Sequence, residues 1–304
     1  EENRQAYRGM LVTTKGLGNY ISGIILYEET LYQNHFDGET MVSKINKLGI
    51  IPGIKVDKGL SPLAGGHEVE TWCKGLEGLA ERTAEYYKQG ARFAKWRAVL
   101  QITADGCPTD LAIRENAWGL ARYAKICQES GLVPIIEPEI LMDGDHSIET
   151  SYEVAVNVLS NVYRELIRHN VDLECTLLKP NMIRSGVSSS EDFDSIKLAQ
   201  LTIRALQQAV PVSVPGIVFL SGGMSEVEAS ISLNEINKVN SNKPWYLTFS
   251  YGRALQASVL DTWKGEDANI KLSQDVLLLR AKANGLASLG KYTNDEDVGK
   301  SLYE

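Results

Sequence analysis

The sequence has no excess of basic residues. Its 304 residues carry 31 lysines and arginines against 39 aspartates and glutamates, which gives a formal net charge of −8. A protein held on nucleic acid by bulk positive charge is therefore excluded. Long apolar runs are also absent, because stretches such as residues 132–136 fall far short of the roughly 18 residues that span a bilayer. We therefore expect a soluble protein without membrane insertion.

Cysteine is scarce, and its spacing indicates no disulfide framework. The four cysteines are Cys73, Cys107, Cys127 and Cys175. None forms a C-x-x-C pair, and a chain of this length buries a core without cross-links. We expect reduced thiols and a cytoplasmic location. The chain begins at Glu1 without a methionine or a leader, in a stretch with helical character, so it reads as a possible fragment whose upstream targeting signal would be invisible.

Apolar residues at helical spacing alternate with short apolar runs. One stripe consists of Ala117, Leu120, Ala121 and Ala124. A second stripe consists of Ala155, Val158, Leu159, Val162 and Leu166. We expect each stripe to face a sheet. Gly90 and Gly131 occupy positions where a left-handed residue ends a helix, and each is followed by an apolar strand.

Seven runs rich in branched or aromatic residues are predicted strands. They cover residues 21–27, 50–56, 93–100, 133–140, 176–179, 216–221 and 245–251. Strands separated by helices favour parallel pairing, and their regular spacing without a Pro-, Gly- or Ser-rich linker predicts one α/β barrel domain over residues 1–304. The common closed barrel, the (β/α)8 TIM barrel, has eight strands. Either one strand escapes detection, or the first strand lies upstream of Glu1.

Three of these strands end in two ionisable residues that lie two positions apart and so face the same side of the sheet. The pairs are Lys55 with Asp57, Lys95 with Arg97, and Glu137 with Glu139, and a fourth strand ends at Lys179. A charge in a sheet covered on both faces is costly unless it is paired or functional. A single pair would indicate a solvated strand end, but their recurrence at the carboxyl ends predicts an active site.

This charged set favours lysine chemistry. Neighbouring cations and apolar walls lower the pKa of an amine, so Lys179, which follows two leucines, is the best candidate for forming an iminium with a carbonyl substrate. Glu137 and Glu139 are candidates for a general acid and a general base. Two nearby carboxylates do not both ionise easily, and their pKa values are expected to separate.

Glycine-rich loops follow the last two predicted strands. Their sequences are Ser221-Gly222-Gly223 and Ser250-Tyr251-Gly252-Arg253. Loops after the last two strands of α/β barrels often bind phosphate, because backbone N–H groups converge there on the anion. An arginine adds a bidentate clamp. One Ser-Gly-Gly by itself is usually a turn, whereas two such loops at these positions predict a phosphate site.

The histidines predict no metal centre. They are His35, His67, His146 and His169, and no two share a helix face at ligand spacing. Convergence in three dimensions stays open, with surface or hydrogen-bonded histidines as the simpler interpretation. His146, which closes the segment DGDH at 143–146, is the one candidate, and its alternative is an ordinary loop residue.

Six longer motifs extend these signals in a fixed order. They are GIKVDKG at 53–59, FAKWR at 93–97, VPIIEPEI at 133–140, LLKPNM at 177–182, FLSGG at 219–223 and LTFSYGRALQA at 247–257. Together they resemble class I fructose-1,6-bisphosphate aldolase, and the similarity runs from residue 1 to 304. The segments GARF at 90–93 and SLYE at 301–304 are most similar to aldolases of apicomplexan protozoa.

The resemblance implies a TIM-barrel enzyme of glycolysis and gluconeogenesis. Such enzymes reversibly cleave fructose 1,6-bisphosphate to dihydroxyacetone phosphate and glyceraldehyde 3-phosphate, need no metal or other cofactor, and are usually homotetramers. By motif, Lys179 resembles the lysine that forms the iminium, and Glu137 resembles the acid–base group that moves protons. Glu139 and Lys95 resemble the groups that orient and tune that lysine.

The same resemblance assigns the remaining candidates to substrate binding. Lys55 and Arg97 resemble residues around the substrate hydroxyls and the second phosphate, with Asp57 as a structural support. A third group matches the site for the phosphate next to the ketone: Ser221, Gly222, Gly223, Ser250, Gly252 and Arg253.

Two departures from the family pattern matter. In the family, a first strand with an Asp-Glu-Ser motif and a basic pair precede the segment that opens this chain. A mobile terminal tyrosine assists proton transfer in the family, but this chain stops at Glu304 and Tyr303 does not align with that position. We therefore expect an incomplete copy with seven strands, which as a literal polypeptide would be unstable and poorly active.

Two other functions stay open. One is another Schiff-base sugar-phosphate aldolase or a transaldolase, which keeps the barrel lysine without the two-phosphate geometry. The other is an interaction scaffold, since aldolases of the family that the chain resembles bind actin and cytoskeletal adaptors. A basic patch near the barrel mouth would be needed for that role in an acidic protein.

Overall fold

The computed structural model describes residues 2–293, and the segment 301–304 with Tyr303 lies outside them. The helices are α1 (Glu2–Val12), α2 (Glu28–Tyr32), α3 (Met41–Lys47), α4 (Leu79–Lys88), α5 (Asp110–Glu129), α6 (Ile148–Arg168), α7 (Ser195–Ala209), α8 (Glu226–Lys238), α9 (Arg253–Trp263) and α10 (Ile270–Ala287). The strands are β1 (Gly23–Leu26), β2 (Ile51–Lys55), β3 (Leu60–Pro62), β4 (Thr71–Cys73), β5 (Phe93–Gln101), β6 (Val133–Leu141), β7 (Leu177–Leu178), β8 (Gly216–Phe219) and β9 (Tyr246–Phe249).

Seven of these strands form one curled, parallel sheet. Their order is β1-β2-β5-β6-β7-β8-β9, and every pairing in it is parallel. All seven predicted strands are confirmed, each within a few residues of its predicted bounds. Within residues 2–293 no pairing joins β1 to β9, so the sheet has the form of an opened barrel.

A short hairpin, β3 with β4, was not predicted. Leu60 pairs with Cys73 and Pro62 with Thr71 in antiparallel register. Each strand has only three residues, which is too short for alternation to be recognised in the sequence. The hairpin follows the end of β2, beside the predicted charged residues.

Both predicted apolar stripes are buried. The four residues of the first stripe, on α5, and the five of the second, on α6, are all at most 4% exposed. Thr109 caps α5 by accepting a hydrogen bond from the Ala112 N–H, and Ser147 caps α6 in the same way from Thr150. These caps fix where the loops after β5 and β6 end.

Alternation along β5 separates the core from the site. Trp96 is 1% exposed and stacks on Tyr123 of α5, with ring centroids 5.3 Å apart. Lys95 and Arg97 lie on the opposite face of the strand. The parallel register places Arg97 beside Glu137 of β6, so the two predicted charged pairs meet at one edge of the sheet.

The remaining expectations concern the chain start, the cysteines and the membrane. Helix α1 begins at Glu2, in agreement with the helical character of the first residues. All four cysteines are free thiols, and only Cys175 is exposed. None of the helices within residues 2–293 combines the length and the apolar character that a bilayer span requires.

Candidate active site

One buried carboxylate holds two ammonium groups. Lys179 Nζ lies 3.1 Å from Glu137 Oε1, and Lys95 Nζ lies 3.1 Å from Glu137 Oε2. Glu137 is 4% exposed and Lys95 is 8% exposed. Lys95 and Glu137 lie within β5 and β6, which continue to Gln101 and Leu141, and Lys179 is the residue after β7. The structure therefore brings together the candidate nucleophile and its candidate proton carrier.

The pKa of Lys179 is lowered from the ordinary lysine value. Burial is the main cause, because the ammonium form loses its hydration. The carboxylate of Glu137 acts in the opposite direction, and the charge of Lys95 lowers the pKa further. The neutral amine, which is the nucleophilic form, is thus more populated here than on an ordinary lysine.

Asp57 connects the end of β2 to this cluster. Its Oδ1 accepts a hydrogen bond from Lys55 Nζ at 2.5 Å, and its Oδ2 lies 3.9 Å from Lys95 Nζ. The backbone N–H of Arg97 also donates to Asp57 Oδ2, at 3.3 Å. Asp57 therefore contacts two of the predicted site cations, Lys55 and Lys95, and the backbone of a third, Arg97.

Glu139 pairs with Arg97 instead of with Glu137. The Arg97 Nε donates to Glu139 Oε2, and both side chains are partly buried. A methyl group placed on Gly222 would lie 3.5 Å from Glu139 Oε1, so this carboxylate borders the first glycine-rich loop. Glu139 thus lies between the charged cluster and the candidate phosphate site.

The two glycine-rich loops lie side by side. Phe219 of β8 pairs with Phe249 of β9, and the Ser250 N–H donates to the Phe219 carbonyl at 2.9 Å. Gly223 has a φ of 73°, a left-handed conformation that favours glycine. Helix α9 begins at the exposed Arg253, directly after Gly252. Backbone N–H groups and a guanidinium are available there for an anion.

His146 does not join the cluster. Both of its ring nitrogens are buried without a hydrogen-bond partner, and burial lowers its pKa against the opposing charges of Asp145 and Glu191. No group of three or more His, Cys, Asp or Glu side chains within residues 2–293 could hold a metal ion. His146 therefore belongs to no such group in the described part of the chain.

Sequence reasoning missed Asn181 and Arg184. The Asn181 Oδ1 accepts a hydrogen bond from the Ile140 N–H at 2.7 Å and so ties β6 to the loop after β7. Arg184 Nη1 donates to the carbonyl of Gly223 at 2.8 Å. Asn181 lies two positions after Lys179, and the same alternation that selected the charged pairs could have identified it. No spacing signal marks Arg184.

Comparisons with known proteins agree on one family. The family model described as "Glycolytic: Fructose-bisphosphate aldolase class-I" matches residues 1–304. Fructose-bisphosphate aldolase 3, chloroplastic, of Arabidopsis thaliana is 56% identical over 306 residues, covering 100% of this chain and 77% of that protein. Fructose-bisphosphate aldolase of Plasmodium falciparum is 56% identical over 307 residues, covering 100% of this chain and 83% of the relative.

A solved structure is similar over nearly the whole chain. It is the ternary co-crystal structure of fructose-bisphosphate aldolase from Plasmodium falciparum in complex with TRAP and a small molecule inhibitor. The TM-score is 0.94 at 55% sequence identity, covering 96% of this chain and 84% of that chain. The TIM-barrel fold predicted from the sequence is confirmed by this similarity.

The expected cytoplasmic location is contradicted. Five similar relatives from Arabidopsis thaliana, Pisum sativum and Oryza sativa are named chloroplastic enzymes. The expectation rested on scarce cysteines without disulfide spacing. Reduced thiols do not distinguish the cytoplasm from a plastid, so that reasoning had no means of separating the two.

Proposed function

Since the chain belongs to the class I fructose-bisphosphate aldolase family, we propose that it performs the aldolase reaction of glycolysis through an iminium on Lys179. The single observation that carries this assignment is the contact between the Lys179 amine and the buried Glu137 carboxylate, 3.1 Å apart. An amine with a lowered pKa attacks a ketone, and a carboxylate at that distance exchanges its protons.

Iminium formation is the first chemical stage. The neutral Lys179 amine adds to the ketone carbon of fructose 1,6-bisphosphate, and the resulting carbinolamine loses water. Glu137 donates the proton that leaves with the hydroxyl. The protonated C=N bond then carries the positive charge that the next step needs.

Carbon–carbon cleavage follows from that charge. The iminium withdraws the electron pair of the C3–C4 bond as a carboxylate of the site accepts the C4 hydroxyl proton. Glyceraldehyde 3-phosphate leaves, and an enamine of dihydroxyacetone phosphate remains on Lys179. Protonation of the enamine at C3 and addition of water release the second triose and restore the amine.

The other site residues bind the substrate and position its ketone carbon at Lys179. Ser221, Gly222, Gly223, Ser250, Gly252 and Arg253 form the cradle for the ketone-side phosphate. Lys55 and Arg97 bind the substrate hydroxyls and the second phosphate, and Asp57 supports them. Lys95 and Glu139 tune and orient the cluster around Glu137. We assign all of these residues to one barrel domain over residues 1–304.

The reaction needs no metal or other external cofactor, because the iminium itself withdraws the electrons. Both oxygens of Glu137 are already engaged by ammonium groups, which disfavours a divalent cation at that carboxylate. Activity is therefore expected to be unchanged by a chelator such as EDTA. Loss of activity that is restored by a divalent metal would contradict this assignment.

Reductive trapping tests the nucleophile. The protein is incubated with dihydroxyacetone phosphate and borohydride, and the reduced adduct is mapped by mass spectrometry. We expect it on Lys179, with the exposed Lys15 as an internal control that stays unmodified. An adduct on Lys95 or Lys55 would reverse the role assignment. Comparable rates with fructose 1,6-bisphosphate and monophosphorylated ketoses would instead favour another Schiff-base aldolase.

A second candidate function is adaptor binding. The similar Plasmodium falciparum structure contains TRAP in complex with aldolase, which favours a role as a scaffold for an adaptor or actin in this chain as well. Fluorescence titration of this protein with an acidic peptide measures the interaction. Competition by fructose 1,6-bisphosphate would place the peptide at the barrel mouth. Binding that substrate leaves unchanged would indicate a separate surface.

Assembly and location follow from the family and its relatives. A homotetramer is proposed, and light scattering on the full chain should give about four times the 33.5 kDa chain mass.

A plastid location is proposed from the names of the chloroplastic relatives. Immunolocalisation in the source cell tests it, and signal confined to the cytosol would contradict it.

A further inference from the structure

Arg184 lies beside the proposed phosphate cradle but is absent from the residues that the family motifs assign. It belongs to the loop between β7 and α7, shortly after Lys179. Its Nη1 donates to the Gly223 carbonyl at 2.8 Å. Its Nε is buried and has no hydrogen-bond partner within residues 2–293. A guanidinium with an unused donor therefore lies at the edge of the Ser-Gly-Gly loop.

The loop that bears Arg184 is fixed at three points. The Ile183 N–H donates to Thr202 Oγ1 of α7 at 2.9 Å, and Ser151 Oγ of α6 donates to the Arg184 carbonyl at 2.6 Å. The Val187 N–H donates to the carbonyl of Met142 at 2.8 Å. Because two helices and the end of β6 anchor this backbone, the guanidinium is presented from a defined position.

Arg184 differs from most cations at the site in having no carboxylate partner among the described residues. Lys55, Lys95 and Lys179 each contact a carboxylate, and Arg97 does so as well. In the described part of the chain, Arg184 forms no ion pair. The same is true of Arg253. The partly buried Arg184 guanidinium is costly unless an anion joins it, whereas Arg253 is exposed, and both groups flank the glycine-rich loops.

The contact between Arg184 and Gly223 fixes the direction of the Gly223 carbonyl group. An anion cradle works when N–H groups point inward and carbonyl oxygens point away. With its oxygen bound to Arg184, the Gly223 carbonyl is not free to turn toward an anion. A methyl group on Gly223 would also lie 3.0 Å from Val187 Cγ1, so the loop has little room to change conformation.

We propose that Arg184 is a positioning and specificity-determining residue for the ketone-side phosphate of the substrate. It holds the Gly223 carbonyl away from the cradle and adds the positive charge that, together with Arg253, balances a phosphate dianion. This inference rests on the proposed aldolase site. It predicts selection for ketoses that carry a phosphate at C1, whatever group they carry at C6.

The test compares three full-length variants on two substrates. Arg184→Gln removes the charge, Arg184→Lys keeps the charge without the planar fork, and Arg114→Gln is a control on the exposed face of α5 with the same change in net charge. The substrates are fructose 1,6-bisphosphate and fructose 1-phosphate, which both carry the C1 phosphate and differ only in the phosphate at C6. Inhibition by inorganic phosphate and the unfolding temperature are measured in parallel.

We expect Arg184→Gln to raise KM for both substrates by the same factor, about tenfold for the loss of one charge-assisted contact. kcat should change little, and inorganic phosphate should inhibit more weakly. Arg184→Lys should recover part of the loss, while Arg114→Gln should behave as the wild type. If Arg184→Gln does not fold, the intermediate KM and phosphate inhibition of Arg184→Lys carry the test.

Three results would overturn the inference. Unchanged KM values would remove Arg184 from phosphate binding, and a loss confined to the bisphosphate would move it to the far phosphate. A fall in kcat with a lower unfolding temperature in both variants would make it a structural support only. Borohydride trapping separates this failure from that of the proposed function. Wild type without an adduct on Lys179 refutes the aldolase site. Any of the three results together with normal trapping of the wild type refutes the role of Arg184 alone.

Discussion

Lys95 and Lys179 contact opposite oxygens of the same buried carboxylate, each at 3.1 Å. Two ammonium groups that share one counter-charge repel each other, and burial adds to the cost of keeping both protonated. The pKa of Lys179 is lowered from the ordinary lysine value, mainly by burial and further by the charge of Lys95. The arrangement supports the proposed role of Lys179 as the nucleophile, with Lys95 as a neighbouring cation.

The lowered pKa predicts a shifted pH profile for Lys179. The neutral amine fraction should rise with pH through a midpoint below the ordinary value of 10.5, because the protonated form is disfavoured in the folded protein. Competitive acetylation with mass mapping measures that midpoint. The exposed Lys15 serves as the internal reference for the acetylation reaction.

A variant of the neighbouring cation tests the cause of this shift. Lys95→Gln removes the repulsion and leaves Glu137 to Lys179 alone, so the Lys179 midpoint should move to higher pH. Lys15→Gln changes the net charge equally and should leave it in place. A midpoint that is unaffected by Lys95→Gln would show that burial alone sets the pKa of Lys179.

Glu137→Gln should slow turnover strongly while substrate binding is largely retained. Proton transfer by a positioned group contributes about 100- to 10,000-fold to a rate, and the amide cannot exchange protons at this site. Steady-state kinetics should therefore show a lower kcat with a similar KM. The exposed Glu153→Gln on α6 is the matched control. A raised KM with unchanged kcat would exclude Glu137 from the chemistry.

Lys55→Gln should separate the two phosphates. If Lys55 serves the second phosphate, KM for fructose 1,6-bisphosphate should rise by about tenfold, the equivalent of one charged contact. KM for fructose 1-phosphate should stay close to the wild-type value. Equal losses on both substrates would instead mean that Lys55 acts through Asp57, with which it forms a hydrogen bond of 2.5 Å.

The sequence predicts the strand ends well because two simple rules govern them. Side chains two positions apart face the same way, and parallel strands bring their carboxyl ends to one edge. These rules place Lys95, Arg97, Glu137 and Lys179 at the same end of the sheet, where the structure has them.

Those rules do not predict which loops contact each other or which charged residues pair within the cluster. The predicted pairing of Glu137 with Glu139 is replaced by separate contacts, because Arg97 takes Glu139 while Lys95 and Lys179 take Glu137. Arg184 reaches Gly223 across 39 positions in the sequence, a relationship that no periodicity encodes. Which residue a loop side chain contacts depends on how the helices and strands beneath the loop pack together.

Gly186→Ala should destabilise the loops around the site. A methyl group on Gly186 would lie 2.2 Å from the carbonyl oxygen of Gly144, and a backbone neighbour cannot move aside without shifting its loop. Overpacking of this kind costs about 1–3 kcal/mol of unfolding free energy. The displaced loop should also draw Arg184 from Gly223 and weaken inhibition by inorganic phosphate.

Gly119→Ala on α5 is the opposite control for that variant. Apart from its chain neighbours and the backbone of its own helix, no atom of the described residues lies within 4 Å of the methyl group that it adds, and alanine favours a helix interior by about 0.5–1 kcal/mol over glycine. Urea unfolding should therefore show a lower stability for Gly186→Ala and an equal or higher one for Gly119→Ala. If Gly186→Ala matched the wild type in stability and in phosphate inhibition, the close approach of the two loops would not constrain the site.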